Sequence, residues 1–256
     1  LFTPDMNTGF KNILIYSTGI LILIFLISFR ALRISERKVS GIQIEILNNQ
    51  DFYLIDKFEI QMLFDMGNSA SVLGANFDQV DIKLLETQVE ENPFVAEIDV
   101  FINVNGVLGA NVSPAQPIGR LMSSQGSDQY IDVTGKLLPM NPDYTVRVPL
   151  ISLMKEGQWT THLGENDFGK QLLKFLIFID NNDMWKAQIA QLSVSEDDEL
   201  TLWPQVTKQL ILFGQPEEIE EKFKKLMLFY KEVLPKKGWN TYRYVNLKYK
   251  NQIVCK

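Results

Sequence analysis

One cysteine and one histidine in 256 residues are too few for most side-chain chemistry. With Cys255 alone, neither an intrachain disulfide nor a cysteine zinc cluster can form. With His162 alone, no imidazole metal site or histidine proton relay is available. His162 lies in the polar stretch WTTHLGEND and reads as a solvated loop residue. Cys255 has no histidine near it in sequence, so a thiol nucleophile there is not expected. Phosphate-cradling glycine loops are missing too: GANFDQ and GVLGANV have neither a Walker lysine nor a strand-to-helix setting. The acidic run SEDDEL at 195–200 lacks the glycine and the ligand spacing of a calcium loop and reads as a solvated turn. Positive charge is also in deficit. A net charge of −6 repels a phosphate backbone and excludes sequence-independent nucleic-acid binding. No catalytic residue, no metal and no cofactor is expected.

What is present begins with an uncharged run at 13–29, ILIYSTGILILIFLISF, in which twelve residues are Ile, Leu or Phe. At about −0.3 to −0.6 kcal/mol each, these twelve favour membrane insertion by roughly 4–7 kcal/mol. The expectation is a transmembrane helix over 13–32, with Ile13, Leu21, Ile24 and Phe29 among its anchoring side chains. A short N-terminal segment at 1–12 precedes it and a juxtamembrane linker at 33–38 follows. A cleaved signal peptide is the rival; the run exceeds a usual apolar region of that kind, and SFRALRIS offers no small-x-small cleavage site. Charge argues against an outward bulk, because Lys11 stands alone before the run while Arg30, Arg33, Arg37 and Lys38 follow it. Long domains translocate largely regardless of such charges, and Leu1 is not an initiating methionine, so orientation is not taken from charge.

From residue 39 the pattern is that of a small folded module. Ile42, Ile44 and Ile46 alternate with Gln43 and Glu45 as a half-buried strand requires. Asp56 caps a helix DKFEIQMLFDMG with Phe58, Met62 and Leu63 on one face and Gly67 as its C-terminal stop. Asp81 caps a second helix carrying Ile82, Leu85 and Val89, closed by Asn92-Pro93. AEIDVFINV and VLGANV then form a hairpin at Asn105-Gly106, where both turn positions favour positive φ. The order is β-α-α-β-β.

After Arg120 the chain reads as QYIDVTGKLLP, two strands around a Thr134-Gly135 turn, and then as the strand YTVRVPLISL. A helix follows with Leu172, Leu173, Leu176 and Ile177 at helical spacing, ended by Asn181-Asn182. Residues 187–194 and 200–202 read as strands flanking an acidic turn. KQLILFGQPEE gives another strand and a Gly214 turn, with Pro216 at the first position of a helix over 217–233. That helix has an apolar stripe of Ile219, Phe223, Leu226, Tyr230 and Val233, and pairs Glu218 with Lys222 and Glu221 with Lys225 at i,i+4. Its expected role is to cover a sheet. The chain ends in TYRYVNLKYKNQIVCK, where Val245, Leu247 and Tyr249 alternate with Asn246, Lys248 and Lys250 as in a strand. A terminal strand at an open sheet edge offers unpaired N–H and C=O groups to a partner strand.

The first module, with its helix ending ENPFV and its strand AEIDVFINVNGVLGANV, resembles a POTRA domain. PIGRL at 117–121, YIDVTG at 130–135 and YVNLKYKNQ at 244–252 extend the likeness, and the chain resembles the FtsQ/DivIB family of bacterial cell-division proteins. It departs at Ile151, Ser152 and Leu153, which lead to Lys155-Glu156-Gly157 where the family often has glycine directly after the strand. The resemblance implies an α+β fold: one N-terminal transmembrane helix, a POTRA-like module at 39–114, and an FtsQ-type β domain at 115–256. That last domain would be a mixed or antiparallel sheet with covering helices and a C-terminal edge strand.

The resemblance also implies a non-enzymatic scaffold of the division septum. Such a protein crosses the inner membrane once, with a cytoplasmic N-terminus and a periplasmic bulk, and regulates septal peptidoglycan synthesis. In the family the last strand receives FtsB, which brings FtsL. Carried over to this chain, the docking residues are Leu247, Tyr249, Asn251, Gln252, Ile253 and Val254. Two other readings remain open: a POTRA-bearing export or envelope-assembly component, and a membrane-anchored hydrolase with an unrecognised pocket.

Overall fold

The computed structural model describes residues 8–35, 37–47, 54–66, 71–124, 126–155 and 161–256. These form two compact units, one of the described residues within 8–47 and 55–113, the other of Leu54 and those within 114–256.

The first unit begins with helix α1, Thr8–Ser35, of 28 residues. Its side chains are described from 15 to 28, and all of them are exposed, Leu21 and Ile24 included. The expected anchoring side chains of Ile13 and Phe29, like residues 1–7 of the N-terminal segment, lie outside the described residues. Among the described residues no helix is long and apolar enough to cross a membrane. Residues 15–28 rise by about 21 Å at 1.5 Å per residue, short of a hydrocarbon core of about 30 Å.

The rest of this unit follows the expected β-α-α-β-β order. It runs β1 (Gly41–Ile46), α2 (Lys57–Met66), a 3-10 turn (Phe77–Gln79), α3 (Ile82–Glu90), β2 (Val95–Ile102) and β3 (Val107–Pro114). The sheet order is β1-β3-β2, with β1 parallel to β3 from Gly41↔Val107 to Ile46↔Val112. Leu85 and Val89 of α3 and Ile60 and Phe64 of α2 pack with Leu108, Ala110 and Val112 in one core. Both helix starts behave as read. Asp56 accepts from Glu59 N–H at 2.8 Å, and the Glu59 carboxylate accepts from Asp56 N–H at 3.1 Å; Asp81 accepts from Leu84 N–H at 3.1 Å.

Two expectations for this unit change. The buried face of α2 is Ile60 and Phe64, while Phe58 and Met62 are exposed. Apolar residues at 58, 60, 62, 63 and 64 offer two faces about 200° apart, and only the sheet selects one. The β2–β3 turn is not a two-residue loop. Its four residues, Asn103 to Gly106, are held by the Asn103 carboxamide accepting from Asn105 and Val107 N–H, and only Gly106, at φ +85°, enters the left-handed region. Gly67 as the stop of α2 lies outside the described residues.

The second unit is a nine-stranded sheet in the order β12-β11-β10-β9-β8-β7-β4-β5-β6. Its strands are β4 (Pro117–Leu121), β5 (Gln129–Asp132), β6 (Leu137–Pro139), β7 (Leu150–Leu153), β8 (Ile189–Val194), β9 (Leu200–Pro204), β10 (Leu210–Gly214), β11 (Tyr244–Asn246) and β12 (Val254–Cys255). Helices α4 (Asp167–Asp180), α5 (Asp183–Gln188) and α6 (Ile219–Leu228) pack on it. Beyond α6 the helix continues through a π turn, Phe229–Val233, into α7, Leu234–Lys237. The core joins Phe175, Leu176 and Trp185 to Leu192, Leu202, Ile211, Phe213 and Phe223.

The residues of the family-like motifs serve this scaffold. Arg120 of β4 grips the Asp128 carboxylate through Nε at 2.8 Å and Nη2 at 2.6 Å. The Ser123 N–H first and Arg120 second hold that carboxyl below its ordinary value, against an opposing effect of burial. Buried Asp132 accepts from Thr134 N–H, Thr134 Oγ1 and Lys136 N–H at 2.6–2.9 Å, closing the turn that Gly135 makes at φ +95°. Tyr130 Oη accepts from Val146 N–H at 2.9 Å.

Several local expectations are corrected here as well. Strand β7 starts at Leu150 rather than Tyr144. Asn182 caps α5 through Trp185 N–H, so Ala187 is helical and β8 begins at Ile189. His162 is no solvated loop residue. Its Nδ1 accepts from Gly164 N–H at 2.7 Å, and Glu165 accepts from His162 N–H at 3.0 Å, a reciprocal cap of the 3-10 turn Leu163–Glu165. Helix α6 begins at Ile219, after Glu218 at φ +48°, so Pro216 is not its first residue.

Candidate docking site at the C-terminal sheet edge

The final segment is not one continuous strand. β11 is enclosed on both sides, parallel to β10 through Val245↔Ile211 and antiparallel to β12 through Val245↔Cys255. Between them, residues 247–253 leave the sheet and return. The Asn246 carboxamide accepts from Lys248 N–H at 2.9 Å to start this excursion. The expected terminal edge strand is therefore the two residues of β12 rather than 245–254. The physical reason is that the Asn246 carboxamide takes Lys248 N–H and the Lys225 ammonium gathers the carbonyls of Leu247, Tyr249 and Lys250, which draws the chain off the β11 line.

At the new edge, Lys256 exchanges both backbone bonds with Tyr244, at 3.0 and 3.1 Å. In an antiparallel ladder such pairs alternate, so the N–H and C=O of Cys255 face away from β11. Burial pushes the Cys255 thiol up from its ordinary pKa, which disfavours the thiolate.

Beside this edge lies a groove of about 560 Å³ between the π turn and β12. Leu228, Phe229, Val233 and Tyr242 form its apolar wall, Asn251, Gln252, Ile253 and Cys255 its other wall, and Lys225 and Glu232 its charged rim. A second depression of about 610 Å³ shares Lys225, Leu228 and Asn251 with it and adds Glu221, Lys224, Met227, Lys231 and Lys250. Leu228, 62% exposed, lies between the two.

Lys225 holds the excursion in place. Its ammonium donates to Leu247 O at 3.1 Å, Tyr249 O at 2.7 Å and Lys250 O at 3.4 Å. Its neighbour Lys222 donates to Gln215 O at 2.8 Å and sits 4.7 Å over the Phe213 ring. Burial lowers the Lys222 pKa, partly offset by Glu218. In place of the expected pairing with Glu218 and Glu221, both ammonium groups turn to backbone carbonyls, which converge on them more closely than flexible surface carboxylates.

Of the sequence-derived docking residues, Asn251, Gln252 and Ile253 line the groove and Val254 is exposed on β12. Tyr249, 49% exposed, stands on the excursion, and Leu247 is core. Pattern alone does not mark Lys225, Leu228 and Phe229 as groove residues, because the apolar stripe of this helix accounts for sheet cover only. Leu228 carries a readable signal: it is apolar, lies off the stripe of Ile219, Phe223, Leu226 and Tyr230, and is flanked by Lys224, Lys225 and Lys231. Among the described residues no group of three or more His, Cys, Asp or Glu side chains is placed to hold a metal.

A βααββ unit followed by a large mixed sheet with an open, grooved edge defines a two-unit α+β protein whose sheet edge can accept an added strand. Comparison with known families matches residues 37–113 to the POTRA-like domain and residues 116–256 to the domain described as FtsQ/DivIB, C-terminal related. The chain belongs to the FtsQ/DivIB-related family, whose role is in cell division. Curated proteins give no match.

Proposed function

We propose that this protein is a non-catalytic, membrane-anchored scaffold of the bacterial division machinery. Its β12 edge and adjoining groove dock a partner of the FtsB type, and FtsL with it, so that septal peptidoglycan synthesis is recruited and regulated. The observation that carries this reading is the outward backbone of Cys255 beside an apolar groove lined by Leu228, Phe229 and Ile253. A strand added there gains main-chain bonds from the edge and side-chain burial from the groove. The lysines around the second depression favour an acidic flank on that partner.

Anchoring is supported by the uncharged, Ile/Leu/Phe-rich run 13–29, which falls within α1. In this reading the N-terminus is cytoplasmic and the two folded units are periplasmic, at the septum of the inner membrane.

Cys255→Pro tests the docking site. Proline removes the outward N–H but leaves the bonds of Lys256 to Tyr244, so β12 can persist at an edge. Co-purification of the full chain from membranes should lose FtsB-type and FtsL-type partners by at least about tenfold, the equivalent of roughly 1.4 kcal/mol. Unchanged recovery from Cys255→Pro and from Leu228→Glu would place docking elsewhere.

A further inference from the structure

The hydrogen bonds of the first unit resume two residues after the end of α1. α1 stops at Ser35, and the Arg37 carbonyl already accepts from Phe77 N–H at 3.0 Å. Val39 N–H donates to Ala75 O and Gly74 N–H to Val39 O, both at 2.9 Å, and Ser40 N–H donates to Gly106 O at 2.8 Å. Lys38 bridges Asn76, and a Cβ on Gly106 would lie 3.2 Å from Lys38 O. Two loops, 71–76 and 103–106, therefore surround the point where α1 leaves.

Each loop carries one exposed aliphatic side chain: Leu73 at 53% exposure, between the core residue Val72 and Gly74, and Val104 at 87%, between Asn103 and Asn105. Arg37 and Lys38 are exposed in the same collar. A bilayer surface accepts both aliphatic tips and cations.

We propose that this collar is a lipid-contacting surface. Val104 and Leu73 rest in the headgroup layer of the bilayer that holds α1, and Arg37 and Lys38 meet its anionic phosphates. The inference rests on the anchoring of α1 proposed above. Distance supports it: with residues 13–32 in the hydrocarbon core, Ser35 lies about 4.5 Å beyond the core, within a headgroup layer of about 5–7 Å. Arg37 follows within about 7 Å, at no more than about 3.6 Å per residue. The effect is to fix the tilt of the first unit on the membrane, where a flexible linker would leave it free.

The test uses the full chain with Cys255→Ser and single nitroxide labels in place of Val104, Leu73, Ile24 or Val206. It is reconstituted in phosphatidylcholine vesicles with and without phosphatidylglycerol, and collision with oxygen and with a water-soluble nickel chelate is measured. The Ile24 label should read as hydrocarbon. Labels at 104 and 73 should show a severalfold higher oxygen-to-nickel ratio than the label at Val206, which is exposed on the second unit, and phosphatidylglycerol should raise that ratio further. Labels at 104 and 73 that match Val206 while Ile24 stays in lipid overturn the collar and leave the anchor standing. An Ile24 label that reads as water overturns both.

Discussion

Asp132 shows how a short motif can be diagnostic and still be entirely structural. Its carboxylate is buried and takes three hydrogen bonds from Thr134 and Lys136, none of which water can replace once the turn has closed. Asp132→Ala should cost about 2 kcal/mol, the usual penalty for leaving buried donors unpaired, read as a lower midpoint in urea unfolding. Asp128 gives a pH signature. Its folded pKa lies below the ordinary 3.8, so the ionised carboxylate stabilises the fold above that value, and this contribution is lost as pH falls through the folded pKa. Acid unfolding of Asp128→Asn should therefore be shallower than that of the parent below about pH 4, measured by circular dichroism at fixed temperature. Tyr230 is not a pH sensor near neutrality, because burial pushes its phenol up to about 12.

Among the elements, α6 departs furthest from its sequence reading. The stripe of Phe223, Leu226 and Tyr230 does cover the sheet, and the π turn lets Phe229 and Tyr230 both turn inward. The opposite flank, with Lys225 and Leu228, builds the groove and clamps the excursion between β11 and β12. Lys225→Met should free residues 247–253 and raise amide exchange there by about tenfold or more, since charge-assisted bonds contribute about 1.5–3 kcal/mol. Lys222→Met, one turn earlier, should leave exchange in that segment unchanged. Equal protection in the parent and Lys225→Met would remove the clamp. β12 shows the limit of pattern reading in the other direction. Two residues carry no detectable alternation, and their pairing with β11 follows an excursion held by Asn246 and by Lys225 of a distant helix.

For the whole molecule, the two units hold separate cores, one around Leu108 and the other around Leu192. Each substitution to alanine should cost about 2–5 kcal/mol, and each should lower only the thermal transition of its own unit. Calorimetry of both variants checks this, and a single shared transition shifted equally by either would show that the units unfold together.

Alternation in β1, the caps at Asp56 and Asp81, the Gly135 turn and the stripe of α6 were legible because each depends on residues within one turn or one strand of each other. So was the family, whose motifs are local runs. The buried face of α2, the helix at 183–188, the enclosure of β11 and the groove were not legible. Each is settled by which of several equally apolar surfaces meets a distant strand, and that choice is made by packing against residues far away in sequence.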